Sequence, residues 1–224
     1  MEYSLVTAEN IYRAVLDGIK KESTAVLTPK QFNRLINQSA LIEWMRSKAG
    51  GSDFDQHYVD ALRNLYKYSP EVSIDTEGND QTGKENVRFK LPEDYYRLQS
   101  VSFKLKEGKE WIPVKRMRSD SLSVMKVNPF RTPTDSRLYY YQEGNHVINY
   151  PENEKVQLAR FFYLAKPEDI IYDPQGTTKN GNLLYEQNKE VVDIAVRIFI
   201  ERVKEERYQT QLVEENLKNV KSNI

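Results

Sequence analysis

Apolar residues recur at helical spacing through the first third of the chain. Ile11, Ala14, Val15 and Ile19 line one face behind Thr7, a candidate N-cap, and Ser23 and Thr24 close the segment, which predicts a helix over residues 8–22. Thr28, Pro29, Lys30 and Gln31 start a second helix, with a capping hydroxyl, a proline at the first helical position and a glutamine where a capping box places it. Phe32, Leu35, Ile36, Ser39 and Ile42 form its stripe, and Leu41, Trp44 and Met45 widen the apolar surface, so burial on two sides is expected. After Gly50 and Gly51, the spacing of Phe54, Tyr58, Ala61, Leu62 and Leu65 predicts a third helix that ends near Tyr68, before Pro70.

Residues 75–86, DTEGNDQTGKEN, hold no apolar residue and many turn formers, so they read as a surface loop or a disordered excursion. The period then changes to two. Val101, Phe103 and Leu105 alternate with Ser100, Ser102, Lys104 and Lys106, the pattern of a half-buried strand. Gly108 and Lys109 separate it from a second strand at 111–116, and Gly144 and Asn145 separate 138–142 from 146–150, which predicts two tight hairpins. In a last strand, 156–166, Val156, Leu158, Phe162 and Leu164 share one face, interrupted by Arg160. About five antiparallel strands are expected, with a short helix capped by Ser119 or Asp120 and a proline-pinned loop over 128–136 between the hairpins. From Asn182 a single helix is predicted to about Asn219. Leu184, Val191, Ala195, Ile198, Phe199 and Val203 give its first half a packing stripe, whereas its charged second half carries only Tyr208, Leu212, Val213 and Leu217 and is expected to project.

These patterns predict an α+β chain. N-terminal helices (1–70) and a long C-terminal helix with its tail (171–224) pack as a bundle beside an antiparallel β-domain (71–170), forming one structural unit overall. The hydrophobic share of 39% and the charged share of 29% are those of a chain that folds. Its 33 basic and 33 acidic residues cancel, which removes the excess positive charge that drives binding of free DNA or RNA. No apolar run is long enough to cross a membrane, and the start MEYSLVTAEN lacks the pattern of an export signal, so a soluble, unexported chain is expected. With no cysteine, disulfides, thiol nucleophiles and Cys-ligated zinc drop out.

Candidate chemistry is sparse. The two histidines, His57 beside the third helix stripe and His146 beside a hairpin turn, read as structural. Asp53 and His57 lie one helical turn apart with Asp55 nearby, a spacing able to share a cation but short of a tetrahedral ligand set. TGKEN at 82–86 and GTTKN at 176–180 lack the glycine and Lys-Ser/Thr pattern of a phosphate loop. Carboxylate neighbours such as Glu93 with Asp94 or Glu205 with Glu206 read as solvated. Lys115, Arg116 and Arg118 form one compact basic cluster, with Met117 among them and Trp111 close by. An exposed strand end is the simpler reading, and a DNA channel would place its contacts there. Tyr139, Tyr140 and Tyr141 must put rings on both faces of a strand, as a core strand or a subunit contact does. On the long helix, Leu212, Val213 and Leu217 are apolar side chains on a wet surface, the pattern of a helix that docks into a groove.

The order of these elements resembles a known family. FNRLINQSALIEWMRSK, then FKLPEDYYRL at 89–98, then YYYQEGNHVINYP and VQLARFFYLAKP, then a long Glu- and Arg-rich helix, resemble head-to-tail adaptor proteins of short-tailed phages, of the tail tubular protein A or gatekeeper type, and the ring proteins of crAss-like phages. The resemblance implies a virion structural protein rather than an enzyme, with no cofactor or metal. Copies would form a ring between the portal protein and downstream tail or nozzle proteins, with DNA passing through its centre. It assigns portal contact to Tyr208, Leu212, Val213 and Leu217, and subunit or nozzle contact to the loops at 75–86 and 128–136. It implies the virion head-tail junction as location, and the host cytoplasm during assembly. The alternatives are a tail-completion or lower tail ring protein, a small metal-dependent hydrolase using Asp53 and His57, and a monomeric host-binding module.

Overall fold

The computed structural model describes residues 6–49, 60–75, 87–106, 108, 110–117, 138–150 and 156–221, with the side chains of 212–221 outside that set. The fold is α+β. The chain divides into two compact units, Met1–Asn64 with Pro167–Ile224, and Leu65–Lys166, rather than the single unit expected. The boundaries read near 70 and 170 each move toward the N-terminus because residues just after Asn64 pair with strands, whereas residues 170–172 are held by helical side chains.

In the first unit, α1 (Ala8–Glu22) starts where Thr7 accepts from the Asn10 amide and buries Ile11, Val15 and Ile19, as its periodicity predicts. α2 (Pro29–Leu35) opens with the full Thr28/Gln31 capping box and Pro29 in its first turn. It runs through a π-helical turn, Ile36–Ala40, into α3 (Leu41–Ala49). That wide turn advances the buried face by one residue. Phe32, Leu35 and Ile36 are followed inward by Ala40, Leu41, Trp44 and Met45, while Ile42, expected in the stripe, is 50% exposed. A short hairpin of β9 (Ile170–Ile171) and β10 (Lys179–Asn180) precedes α4 (Tyr185–Lys221), a helix of 37 residues. Leu184, read as part of its stripe, lies before its first turn and is exposed, whereas Val191, Val192, Ala195 and Ile200 are buried. α4 runs antiparallel to α2 and α3. Glu190 accepts from Trp44 Nε1 (2.7 Å) and Lys48 Nζ (2.9 Å), Arg197 pairs with Glu43, and Arg202 donates to Ser39 Oγ (2.7 Å).

The β9 backbone is held by two asparagines one helical turn apart. Asn33 donates to the Tyr172 carbonyl (3.1 Å) and accepts from its amide (2.9 Å); Asn37 does the same with Ile170 (2.8 and 2.9 Å). The rise of four helical residues, about 6 Å, matches two residues of strand, about 6.6 Å, so both amides reach alternate peptide groups. Tyr12 adds to the junction, stacking on Tyr172 (4.7 Å) and meeting Phe32 edge-on (5.2 Å).

The second unit is a curled, mostly antiparallel sheet. Its strands are β1 (Tyr66–Tyr68), β2 (Val72–Ser73), β3 (Arg88–Lys90), β4 (Tyr95–Leu105), β5 (Trp111–Arg116), β6 (Tyr139–Glu143), β7 (His146–Tyr150) and β8 (Val156–Ala165). Their order is β1-β8-β4-β5-β6-β7-β3, with β2 also on β8. The curl brings β2 back to β3, where the Asp75 amide donates to the Arg88 carbonyl (2.8 Å). Three strand expectations change. Residues 66–68, read as the end of a helix, are a strand on β8, where Tyr66 and Tyr68 alternate onto Phe162. The β5–β6 pair is parallel, since residues 118–137 separate the two strands where a hairpin turn does not. On β8 a register irregularity opposite Lys104 and Leu105 shifts the phase after Val156, so Ala159, Phe161, Tyr163 and Ala165 face the core, and Arg160 and Phe162 face away from it. The Gly144-Asn145 hairpin stands as read, with Gly144 at φ +54°. The short helix near 119–127, the loop at 128–136 and residues 51–59 of the third helix lie outside the described residues.

Asn37→Ala strands two peptide groups of a buried residue, Ile170, and should cost about 2 kcal/mol or more. Thermal melting checks this, with the exposed neighbour Gln38→Ala expected within about 0.5 kcal/mol of the parent.

Candidate functional site

The side chains singled out from the sequence do not converge on one place. Tyr208 sits on the distal part of α4, 62% exposed, and Leu212, Val213 and Leu217 follow on the same helix, with side chains outside the described set. From Glu201 to Gln211 every residue but Val203 is exposed. Among the described side chains the helix thus passes from a packed stretch, which ends at Ile200, to an exposed one. At 1.5 Å per residue it is about 55 Å long, and the part beyond Ile200 accounts for about 30 Å.

The basic cluster is split by strand geometry. Lys115 and Arg116 are adjacent on β5 and so point to opposite faces. Arg116 pairs across with Tyr140, whose ring is buried in the unit's core, and Lys115 pairs with Tyr139 on the outer side. Arg118 lies outside the described residues. Lys115 instead shares the outward face with Trp111, and Trp111 receives a cation the sequence reading did not bring to it. The Arg160 guanidinium stands 4.3 Å from its ring centroid, with Lys104 Nζ at 5.9 Å. No sequence spacing signals that contact, because residues 111 and 160 meet only through the register of β5, β4 and β8.

Asp94, read as solvated, is the centre of a clamp. Its carboxylate accepts from Lys67 Nζ (2.8 Å) and from Tyr163 Oη (2.8 Å), and its carbonyl accepts from the Lys166 amide (2.6 Å). The LPEDYY segment is therefore a working turn. Leu91 is buried, the Pro92 carbonyl accepts from Tyr95, and Asp94 ties β1 and β8 to the start of β4. Burial raises the Asp94 carboxyl, but the hydrogen bonds from Lys67 and Tyr163 and the Lys67 charge outweigh it and hold the group below the ordinary carboxylate range. Tyr163 is pushed up to about 12, first by burial, then by its hydrogen bond to Asp94 and the carboxylate charge.

The remaining candidates have local roles. His146 Nε2 lies 3.0 Å from Asp75 Oδ2, beside the start of the 75–86 segment, whose residues 76–86 are outside the described set, as are Asp53, Asp55 and His57. GTTKN builds the β9–β10 hairpin: Thr178 donates to the Asp173 carbonyl, and Asn180 Oδ1 accepts from the Ala8 amide at the start of α1. Among the described residues no group of three or more His, Asp or Glu is placed to hold a metal ion. Also among them, no helix is long and apolar enough to cross a membrane. An open groove of about 860 Å³ runs between α1 and α4, where Gly18 meets Val196. Its walls mix Asp17, Lys21, Asp193, Arg197 and Lys204 and carry no histidine or hydroxyl nucleophile. No protein-family model matches the chain, and no curated protein matches it.

The clamp gives two pH dependences. The Asp94 contribution to stability is complete above the unfolded carboxylate pKa and is lost as pH falls through the depressed folded value. The Tyr163 contribution is complete below the ordinary pKa of 10.0 and is lost as pH rises toward 12. In ultraviolet titration, Tyr163→Phe should remove a tyrosine that ionises near pH 12, and Asp94→Asn should move that step down. An unchanged late step in both variants contradicts the clamp.

Proposed function

We propose that the chain is a ring-forming subunit of a phage head-to-tail connector, joining the portal protein to downstream tail or nozzle proteins around the DNA passage. On this reading it works in the virion by shape and burial rather than by catalysis, without a cofactor, and it assembles in the host cytoplasm. The observation that carries the proposal is α4. A helix anchored by Glu190, Arg197 and Arg202 continues for about 30 Å beyond Ile200, is exposed from Glu201 to Gln211 at every residue but Val203, and carries Tyr208, Leu212, Val213 and Leu217. An exposed helical segment with spaced apolar residues fits a groove on a partner. The order of the elements, with helices on either side of a strand-rich unit, supports the same reading.

Light scattering tests it. The purified chain, alone or mixed with the portal protein of the same phage, should give a discrete ring-sized species. Truncation after Glu206 removes the distal helix beyond the Arg202 contact and should abolish portal binding without lowering the melting midpoint. A strict monomer indifferent to the portal, or full binding by the truncated chain, overturns the proposal.

A further inference from the structure

The second unit carries an outward face that the core does not use. The register of three strands builds it: Ser100 of β4 pairs with Phe162 of β8, Ser102 with both Arg160 of β8 and Pro113 of β5, and Lys104 with Leu158 and Trp111. At one end Phe162 stacks against Tyr66 (5.4 Å) and Tyr68 (4.6 Å), and Tyr68 remains 71% exposed. At the other, Arg160 reaches across β4, above the small Ser102, to stand over Trp111, with Lys104 on the same ring. Lys115 is exposed on this side of β5. Glu71 lies at the edge, 3.4 Å from the Arg160 guanidinium.

We infer that this face binds single-stranded nucleic acid, with Lys104, Arg160 and Lys115 against the phosphates and the open side of Tyr68 stacking on a base. The combination is the one that sequence-tolerant single-strand binding needs: aromatic rings with a free face beside cations that follow a backbone. Along β4 the rows marked by Ser102 and Lys104 lie about 7 and 13 Å from the Phe162 row, within reach of a base stacked on Tyr68 and the phosphates next to it. Lys104 and Lys115 favour a phosphate backbone over another protein, because lysine is depleted at the centre of a protein interface. The chain's zero net charge is a sum over the whole sequence and does not describe this face. The inference does not rest on the connector reading, since it needs neither a ring nor a portal.

Fluorescence anisotropy with the full chain and a labelled oligothymidylate of about 20 nucleotides, at about 50 mM salt, tests it. The chain should bind. Tyr68→Ala should weaken binding about tenfold, with the melting midpoint lowered only by the loss of its stack on Phe162 and the chain still folded at the assay temperature. The double variant Lys104→Gln/Arg160→Gln should weaken it further and flatten the dependence of log affinity on log salt by about 1.4, the effect of two lost phosphate contacts on a single strand. Lys179→Gln, an exposed lysine of the other unit, should leave affinity unchanged. Absence of binding, equal binding by the patch variants and the parent, or a duplex competing as well as the single strand overturns the inference. So does a patch variant that lowers self-association while keeping its affinity for the oligonucleotide, which assigns the face to protein contact.

Discussion

A helical unit built from two segments separated by about a hundred residues must recognise its own second half, and Asn33 and Asn37 carry that recognition. Each presents a carboxamide to a peptide group of the returning chain, donating and accepting at once, so the β9 backbone treats the helix as a second strand. The match holds in one register only. A shift of one residue turns the paired peptide groups away from the helix, because successive groups of a strand point to opposite sides. Once 170–172 is seated, Gly181 at φ +75° turns the chain against Ile170, where an added Cβ has no room. Asn182 accepts from the Glu168 amide, and its carbonyl receives Asn64 Nδ2. Gln187 then joins the Ala61 carbonyl, Asn64 and the Leu184 amide at the first turn of α4. The long helix is aimed by this chain of amide contacts as much as by its apolar stripe.

Elements whose signal is local were legible in the sequence. Thr7, the Thr28/Gln31 capping box, the Gly144-Asn145 turn and the extent of α4 follow from caps, turn chemistry and an unbroken period. Two of the misreadings share one cause, a change of phase inside an element. The π turn at 36–40 sends Ile42 outward, and the irregularity on β8 moves its core face from Leu158 and Leu164 to Ala159, Phe161 and Tyr163. Period counting assumes constant phase, so one inserted residue reverses inside and outside for all that follows. The strand at 66–68 was hidden for a different reason. Tyr66 and Tyr68 fit a helix or a strand equally well, and the partner that decides between them, Phe162, is almost a hundred positions away.

The candidate sites divide the same way. The exposed stretch of α4 from Glu201 to Gln211 was visible because composition alone distinguishes it from the packed stretch before it. Asp94 was not, because a carboxylate gains its role from Lys67 and Tyr163, which only the fold brings to it. Nor did adjacency in sequence make a site of Lys115 and Arg116: neighbours on a strand face apart, and cations on different strands come together when register allows.

Arg160 shows what this implies for reading surfaces. As an interruption in an apolar run it looked like an imperfection of the last strand. With the phase corrected, it belongs to the outward face with Phe162, and the stretch it interrupts was never a single face. A buried-strand assignment has no use for a guanidinium, whereas an outward face with Trp111 beneath it holds one without desolvating it fully, since 40% of the side chain stays accessible. Stacking on indole fixes the guanidinium plane while leaving its N–H groups to meet an anion, and Glu71 at 3.4 Å engages only one edge. The residue that fits the core pattern worst is therefore the one that organises the surface.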